Sequence, residues 1–183
     1  MPIADAFLDR PLNAHLWRPA RETVLDALRV WRSTPLAAVW WWLVIDHGSG
    51  RFTALRFDTL RQLLLRPDLE VTMRTPLAEL PSARQNPADW TQPVPGVIEP
   101  RTVDMDEISP SRARQLQANS PAGLLIVLRD GIFRGVLAGS ERTFAFTDDL
   151  LLDMLEQYEQ QATGSPDVPG MPSSSSEPPT SLG

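Results

Sequence analysis

The sequence contains no cysteine, and all 17 of its basic residues are arginine. Without cysteine there is no disulfide, no thiol nucleophile and no thiolate metal site, which fits a cytoplasmic protein. Without lysine there is no P-loop lysine, no Schiff-base chemistry and no lysine general base. The ordinary reading of that bias is codon usage in a GC-rich genome, and a bacterial source is expected. Histidine is scarce too: His15 and His47 are the only two, and neither has metal-ligand spacing to a second ligand. His47 falls in a predicted turn, where exposure to solvent is the ordinary expectation.

Other absences narrow the function further. The apolar run Ala38–Ile45 is eight residues, well short of the roughly 20 needed to span a bilayer. Met1–Leu12 carries Asp5 and Asp9 and no basic stretch followed by an apolar one, so no secretory signal is expected. The net charge of −6 leaves no basic footprint for nucleic acid. Neither a nucleic-acid partner nor a membrane partner is expected. Ser120 and Ser140 lack the glycine context of a nucleophile elbow. The acidic run Asp104–Glu107 lacks the glycine and spaced ligands of a calcium loop, and reads as a solvated helix entrance. No set of nucleophile, base and orienter can be assembled. The expectation is a non-enzymatic chain with no catalytic residue, no metal and no cofactor.

What is present is organised around Ala37–Leu65. Ala38–Ile45 reads as a strand buried on both faces. Asp46–Gly50 supplies a turn with two glycines, and Arg51–Arg56 reads as the returning strand of a hairpin. Leu60, Leu63 and Leu64 then recur at helical spacing, with Asp58 or Thr59 as cap, until Arg66-Pro67. Before this unit, Leu16–Pro19 is extended. From Thr23, an N-cap, the stripe Val24, Leu25, Leu28 and Trp31 makes an amphipathic helix of about ten residues that Ser33-Thr34-Pro35 ends.

Beyond it, Glu70–Met73 reads as a short strand. Pro76–Pro100 holds Pro81, Pro87, Pro93 and Pro95, too closely spaced for regular structure, and reads as a connector. Arg101–Met105 is a short strand, and Ser109-Pro110 starts a helix that runs to Asn119. Gly123–Leu128, the turn Arg129–Gly131 and Ile132–Leu137 make a second hairpin.

The two hairpins match. Trp42–Asp46, a glycine turn and Arg51–Leu55 align with Leu125–Arg129, a glycine turn and Phe133–Leu137. Each hairpin follows an amphipathic helix, and each helix follows an extended segment, so two βαββ units are implied. The fold class expected is α/β, a pair of tandem pseudo-symmetric βαββ repeats. The boundaries are a lead-in at 1–15, a first repeat at 16–75, a proline-rich connector at 76–98, a second repeat with a C-terminal helix at 99–161, and a tail at 162–183. In the C-terminal helix, Thr147-Asp148-Asp149 caps an apolar face of Leu150, Leu151, Met154, Leu155 and Tyr158. The Gly/Ser/Pro tail cannot offset its ordering entropy and is expected to be disordered.

Tryptophan is concentrated at one end. Trp17, Trp31, Trp40, Trp41 and Trp42 are five of six, and strand alternation puts Trp40 and Trp42 on one face with Trp41 on the other. Core packing and a partner interface both suit them.

On these residues the chain resembles the cystathionine-β-synthase (CBS) domain family, whose members usually carry two such repeats. Trp17–Leu28 is similar to its opening strand, polar turn and helix, and Leu43–Asp46 through Leu55 and on to Leu65 to its hairpin and closing helix. The second repeat, from Glu99 to Phe146, is looser. The resemblance implies a regulatory module that forms a homodimer. Nucleotide-binding members place Gly, then Ser or Thr three residues on, then Asp three further, for phosphate and ribose. At those positions stand Thr53, Arg56 and Thr59 in the first repeat, and Gly135, Ala138 and Glu141 in the second. The implied ligand is an adenine nucleotide or a related small anion near Thr53, Arg56, Thr59, Gly135 and Glu141. Asp58 opposes this, because its carboxylate competes for the helix-start donors and for Arg56. The alternative is an interaction or dimerisation scaffold without a ligand, whose tryptophan face or C-terminal helix meets a protein partner.

Overall fold

A computed structural model describes residues 15–34, 42–86, 89–137 and 149–163, with the backbone alone described at 85–86 and 89–92. Residues 1–14 of the lead-in, Trp40, Trp41, Glu141, the Thr147-Asp148 cap and nearly all of the tail lie outside the described residues.

The described chain is mixed α/β, with two three-stranded sheets, a two-stranded hairpin and four α-helices. The first unit is β1 (His15–Pro19), α1 (Val24–Ser33), β2 (Trp42–Asp46), β3 (Phe52–Arg56) and α2 (Phe57–Leu65). β1 runs parallel to β2 and β2 antiparallel to β3, with Val44 opposite Trp17 and Ala54. After the connector hairpin β4 (Arg84–Asn86) and β5 (Asp89–Val94) comes the second unit, β6 (Arg101–Asp104), α3 (Pro110–Ala118), β7 (Leu125–Arg129) and β8 (Ile132–Leu137). Its strand order and directions are the same, β6 parallel to β7 and β7 antiparallel to β8. The last helix is α4 (Asp149–Thr163).

Local chemistry explains these elements. Thr23 caps α1 reciprocally: its hydroxyl accepts from the Asp26 N–H at 3.2 Å, while the Asp26 carboxylate accepts from the Thr23 N–H at 2.9 Å. Thr23 thereby satisfies one orphan donor of the first turn. Ser109 caps α3 with a single 3.3 Å bond from the Arg112 N–H, and Pro110 fills the first helical position. In the second hairpin Asp130 and Gly131 have φ of 52° and 74°, the left-handed pair that a two-residue connection between right-twisted strands requires.

Strand alternation sorts the side chains into layers. Val44, Phe52 and Ala54 of the first sheet meet Ile126 and Val136 of the second and Leu124 just before it, so the two sheets pack face to face. The next residues along, Leu43, Ile45 and Leu55, point outward under α1, α2 and α4, against Leu28, Trp31, Leu60, Leu63, Leu151 and Leu155. Trp31 stacks on Phe57 with centroids 5.2 Å apart. The outer face of the second sheet is thinner: Val103, Met105, Leu125 and Val127 are buried there, with Leu116 of α3 packed on them.

Several expectations are corrected. The connector is not irregular throughout, since it contains β4 and β5. Pro93 is tolerated because a two-stranded hairpin leaves one side of each strand without a ladder. Glu70–Met73 is not a strand. A 3₁₀ turn at Pro67–Leu69 ends on a left-handed Glu70 (φ 55°), and the chain then bonds to the start of α1, Leu25 N–H to the Met73 carbonyl at 2.9 Å and Val24 N–H to the Thr75 carbonyl at 3.0 Å. The residue entering α2 is Arg56, not Asp58 or Thr59, and its side chain makes no capping bond. Leu150, assigned to the apolar face of α4, is 48% exposed. Among the described residues no helix is long and apolar enough to cross a membrane.

Candidate functional site

The end of the first hairpin meets the segment that enters β6. Ala54 and Ile98 exchange backbone hydrogen bonds, at 2.9 and 2.8 Å, and this bridge draws Glu99 beside Arg51. The Arg51 Nε donates to Glu99 Oε1 at 3.1 Å. Behind them, Val97 N–H bonds to the Pro81 carbonyl and Ala83 N–H to the Val97 carbonyl, both at 2.8 Å. Gly96 permits that crossing: a Cβ there would lie 2.3 Å from the Pro81 carbonyl oxygen, a distance no side chain can take.

Two clefts lie on either side of the Arg51–Glu99 pair. The wider, about 520 Å³, is lined by Ser49–Phe52, Glu99–Thr102 and Leu116. It has two guanidiniums, Arg51 and Arg101, against one carboxylate, Glu99. The narrower, about 390 Å³, reaches from Arg51 and Glu99 over Leu77, Leu80, Val97 and Ile98 to His47 and Thr53. Its formal charges cancel.

Thr53 is buried, and its hydroxyl lies 2.7 Å from His47 Nε2. His47 is therefore not the exposed turn residue expected. Its pKa is held below the usual histidine value, first by burial and then by the Arg51 guanidinium, with Asp46 and Glu99 opposing. Thr53 owes its burial to alternation: it faces the helix side of the sheet between Phe52 and Ala54, which face the other sheet.

The residues expected around one ligand are not gathered in one place. Thr53 stands near the start of β3 and Arg56 at its end, roughly 10 Å along the strand and on the opposite face. Arg56 donates to the Asp58 carboxylate at 3.1 Å, and the same oxygen accepts from the Thr59 N–H at 2.9 Å. Asp58 thus occupies the donors that a phosphate would need. Gly135 is opposite Val127 where the β7–β8 register shifts, so it serves a bulge between paired strands. Glu141 is outside the described residues. Neither described cleft is lined by Arg56, Thr59 or Gly135.

Trp17 is 38% exposed, Trp31 is buried and Trp42 is partly buried between the sheets. Sequence reasoning missed Arg51, Glu99 and Arg101 as site residues. Arg51 and Glu99 are 48 positions apart, and only the Pro95-Gly96 punctuation ahead of Val97-Ile98 signals a chain crossing between them. Comparison with family models, with curated proteins and with solved structures finds no match to the chain.

Proposed function

We propose that the chain is a non-enzymatic regulatory module, a degenerate pair of CBS-like repeats that senses an adenine nucleotide or a related small anion. The observation that carries this reading is the duplicated unit itself. Two βαββ sets with the same strand order and directions pack through their inner faces over Val44, Ala54, Leu124 and Ile126, and such a duplication supports a reading as two tandem repeats. The anion belongs in the wider cleft. Arg56 already bonds to Asp58, whereas the wider cleft keeps one net positive charge from Arg51 and Arg101 over Glu99, and guanidinium is a good partner for phosphate.

Isothermal titration with AMP, ADP, ATP and S-adenosylmethionine tests it. Binding of at least one is expected, weakened about tenfold or more by Arg101→Gln, the loss of one charge-assisted contact. Arg56→Ala is expected to leave it unchanged. No binding to any of the four would remove the nucleotide reading.

The second reading is an interaction scaffold, a homodimer or a protein-binding face. It is favoured by the Arg56–Asp58 pairing and by the exposed large apolar side chains Trp17, Leu65, Ile132 and Leu150. Light scattering at micromolar and higher concentrations decides its dimer form, which a strictly monomeric mass would exclude.

A further inference from the structure

The narrower cleft differs from the wider one in the balance of its charges and the nature of its floor. At its mouth a guanidinium and a carboxylate, Arg51 and Glu99, lie 3.1 Å apart and are 60% and 63% exposed at the side chain. Its floor is apolar: Leu77, Leu80 and Val97 are 1%, 6% and 8% exposed. The Thr53 hydroxyl and the His47 ring, 2.7 Å apart, line it as well. A volume of about 390 Å³ is near the low end for small-molecule sites, roughly 300–1,000 Å³.

This pattern selects a ligand class by exclusion. A phosphate finds one guanidinium already faced by a carboxylate, and gains no net attraction. A neutral apolar molecule leaves the two charges at the mouth unused. A molecule with a carboxylate and an ammonium on one carbon, and an apolar side chain on the same carbon, uses all three features. Its carboxylate takes the Arg51 guanidinium in a charge-assisted pair, its ammonium takes Glu99, and its side chain covers Leu77, Leu80 and Val97. The ion pair it replaces is exposed, and exposed pairs contribute only about 0–1 kcal/mol, so opening it costs little. We propose that the cleft between Arg51–Glu99 and Leu77, Leu80 and Val97 binds a free apolar α-amino acid.

The proposal rests on the sensing reading in taking this edge of the molecule as a ligand site, but it names a different cleft and a different ligand. Titration of the full chain with L-leucine, L-isoleucine, L-methionine and L-phenylalanine, beside the nucleotides, is the test. Binding of at least one amino acid is expected, weakened about tenfold or more by Arg51→Gln and by Glu99→Gln. Both positions are exposed, so neither substitution endangers the fold. N-acetylleucine, which lacks the ammonium, and leucine amide, which lacks the carboxylate, should each bind at least about tenfold more weakly than leucine. Absence of binding by all four amino acids overturns the proposal, as does binding that both Gln variants leave intact or that N-acetylleucine matches. Nucleotide binding without amino-acid binding overturns the proposal and leaves the sensing reading standing. Amino-acid binding without nucleotide binding does the reverse for the nucleotide.

Discussion

The first sheet has α1, α2 and α4 on its outer face and the second, among the described residues, has α3. The difference begins in composition. α1 presents Val24, Ala27, Leu28 and Trp31 to the core, while α3, with the sequence PSRARQLQA, buries only Ala113 completely and half-buries Leu116. The last helix adds to the imbalance, since Leu151 and Leu155 of α4 join the core of the first unit. Two units with one topology are therefore stabilised differently. The first holds a thick core of its own, and the second relies more on the inner face that it shares with the first, where Leu124 and Ile126 are fully buried.

Matched truncations probe that asymmetry most strongly. Leu28 and Leu125 are both fully buried, Leu28 on the core face of α1 among α2 and α4, and Leu125 in β7 under α3. Leu28→Ala leaves a cavity walled by three helices that cannot close in, so a loss of about 4–5 kcal/mol is expected; Leu125→Ala lies under a single helix that can settle, so about 2–3 kcal/mol is expected. Urea unfolding of the two variants makes the comparison. Equal losses would mean that the second outer face is as firmly packed as the first.

The helix caps sharpen the same contrast at smaller size. Thr23 is bonded in both directions with Asp26, whereas Ser109 accepts one long bond. Thr23→Ala is expected to cost about 1–2 kcal/mol and Ser109→Ala about 0.5–1 kcal/mol. A larger loss at Ser109, measured by thermal unfolding, would invert the ranking of the two units.

These same features decide what the sequence discloses. Both hairpins were legible because an apolar strand run meets a turn whose residues accept positive φ, Gly48 to Gly50 in one and Asp130-Gly131 in the other. α1 and α3 were legible because Thr23 and Ser109 have the side chains that caps require. The entry to α2 was not, since Arg56 makes no capping bond and gives no signal. β4 and β5 were hidden by Pro93, because proline is read as a breaker unless the strand is known to be an edge. At the site, the competition of Asp58 for Arg56 followed from neighbours in sequence. The meeting of Arg51 with Glu99 did not, for it depends on the Ala54–Ile98 bridge and on Gly96 letting two backbones cross.

The smallest expected effect concerns the helix that makes the units unequal. Glu159 of α4 accepts from Arg32 Nη1 at 2.7 Å and from Arg29 Nε at 2.9 Å, and these bonds, Arg32 first, hold its pKa at about 2. A carboxyl whose folded pKa lies below its unfolded value stabilises the fold above the unfolded value, near 4.5, and loses that contribution as pH falls toward 2. The group is part-exposed and its arginine partners more so, and solvent and salt screen the pair, so the effect is small. Its pH dependence is nonetheless distinctive. Glu159→Gln should lower the melting temperature slightly at about pH 7, and the gap from the unsubstituted protein should narrow by about pH 3 as the wild-type carboxylate begins to take up its proton. It should narrow also at about 1 M salt, where the screening length is roughly 3 Å. A gap that persists unchanged at low pH and in high salt would show that Glu159 holds α4 by packing and not by charge, and would remove the ion pair as a reason for α4 to side with the first unit.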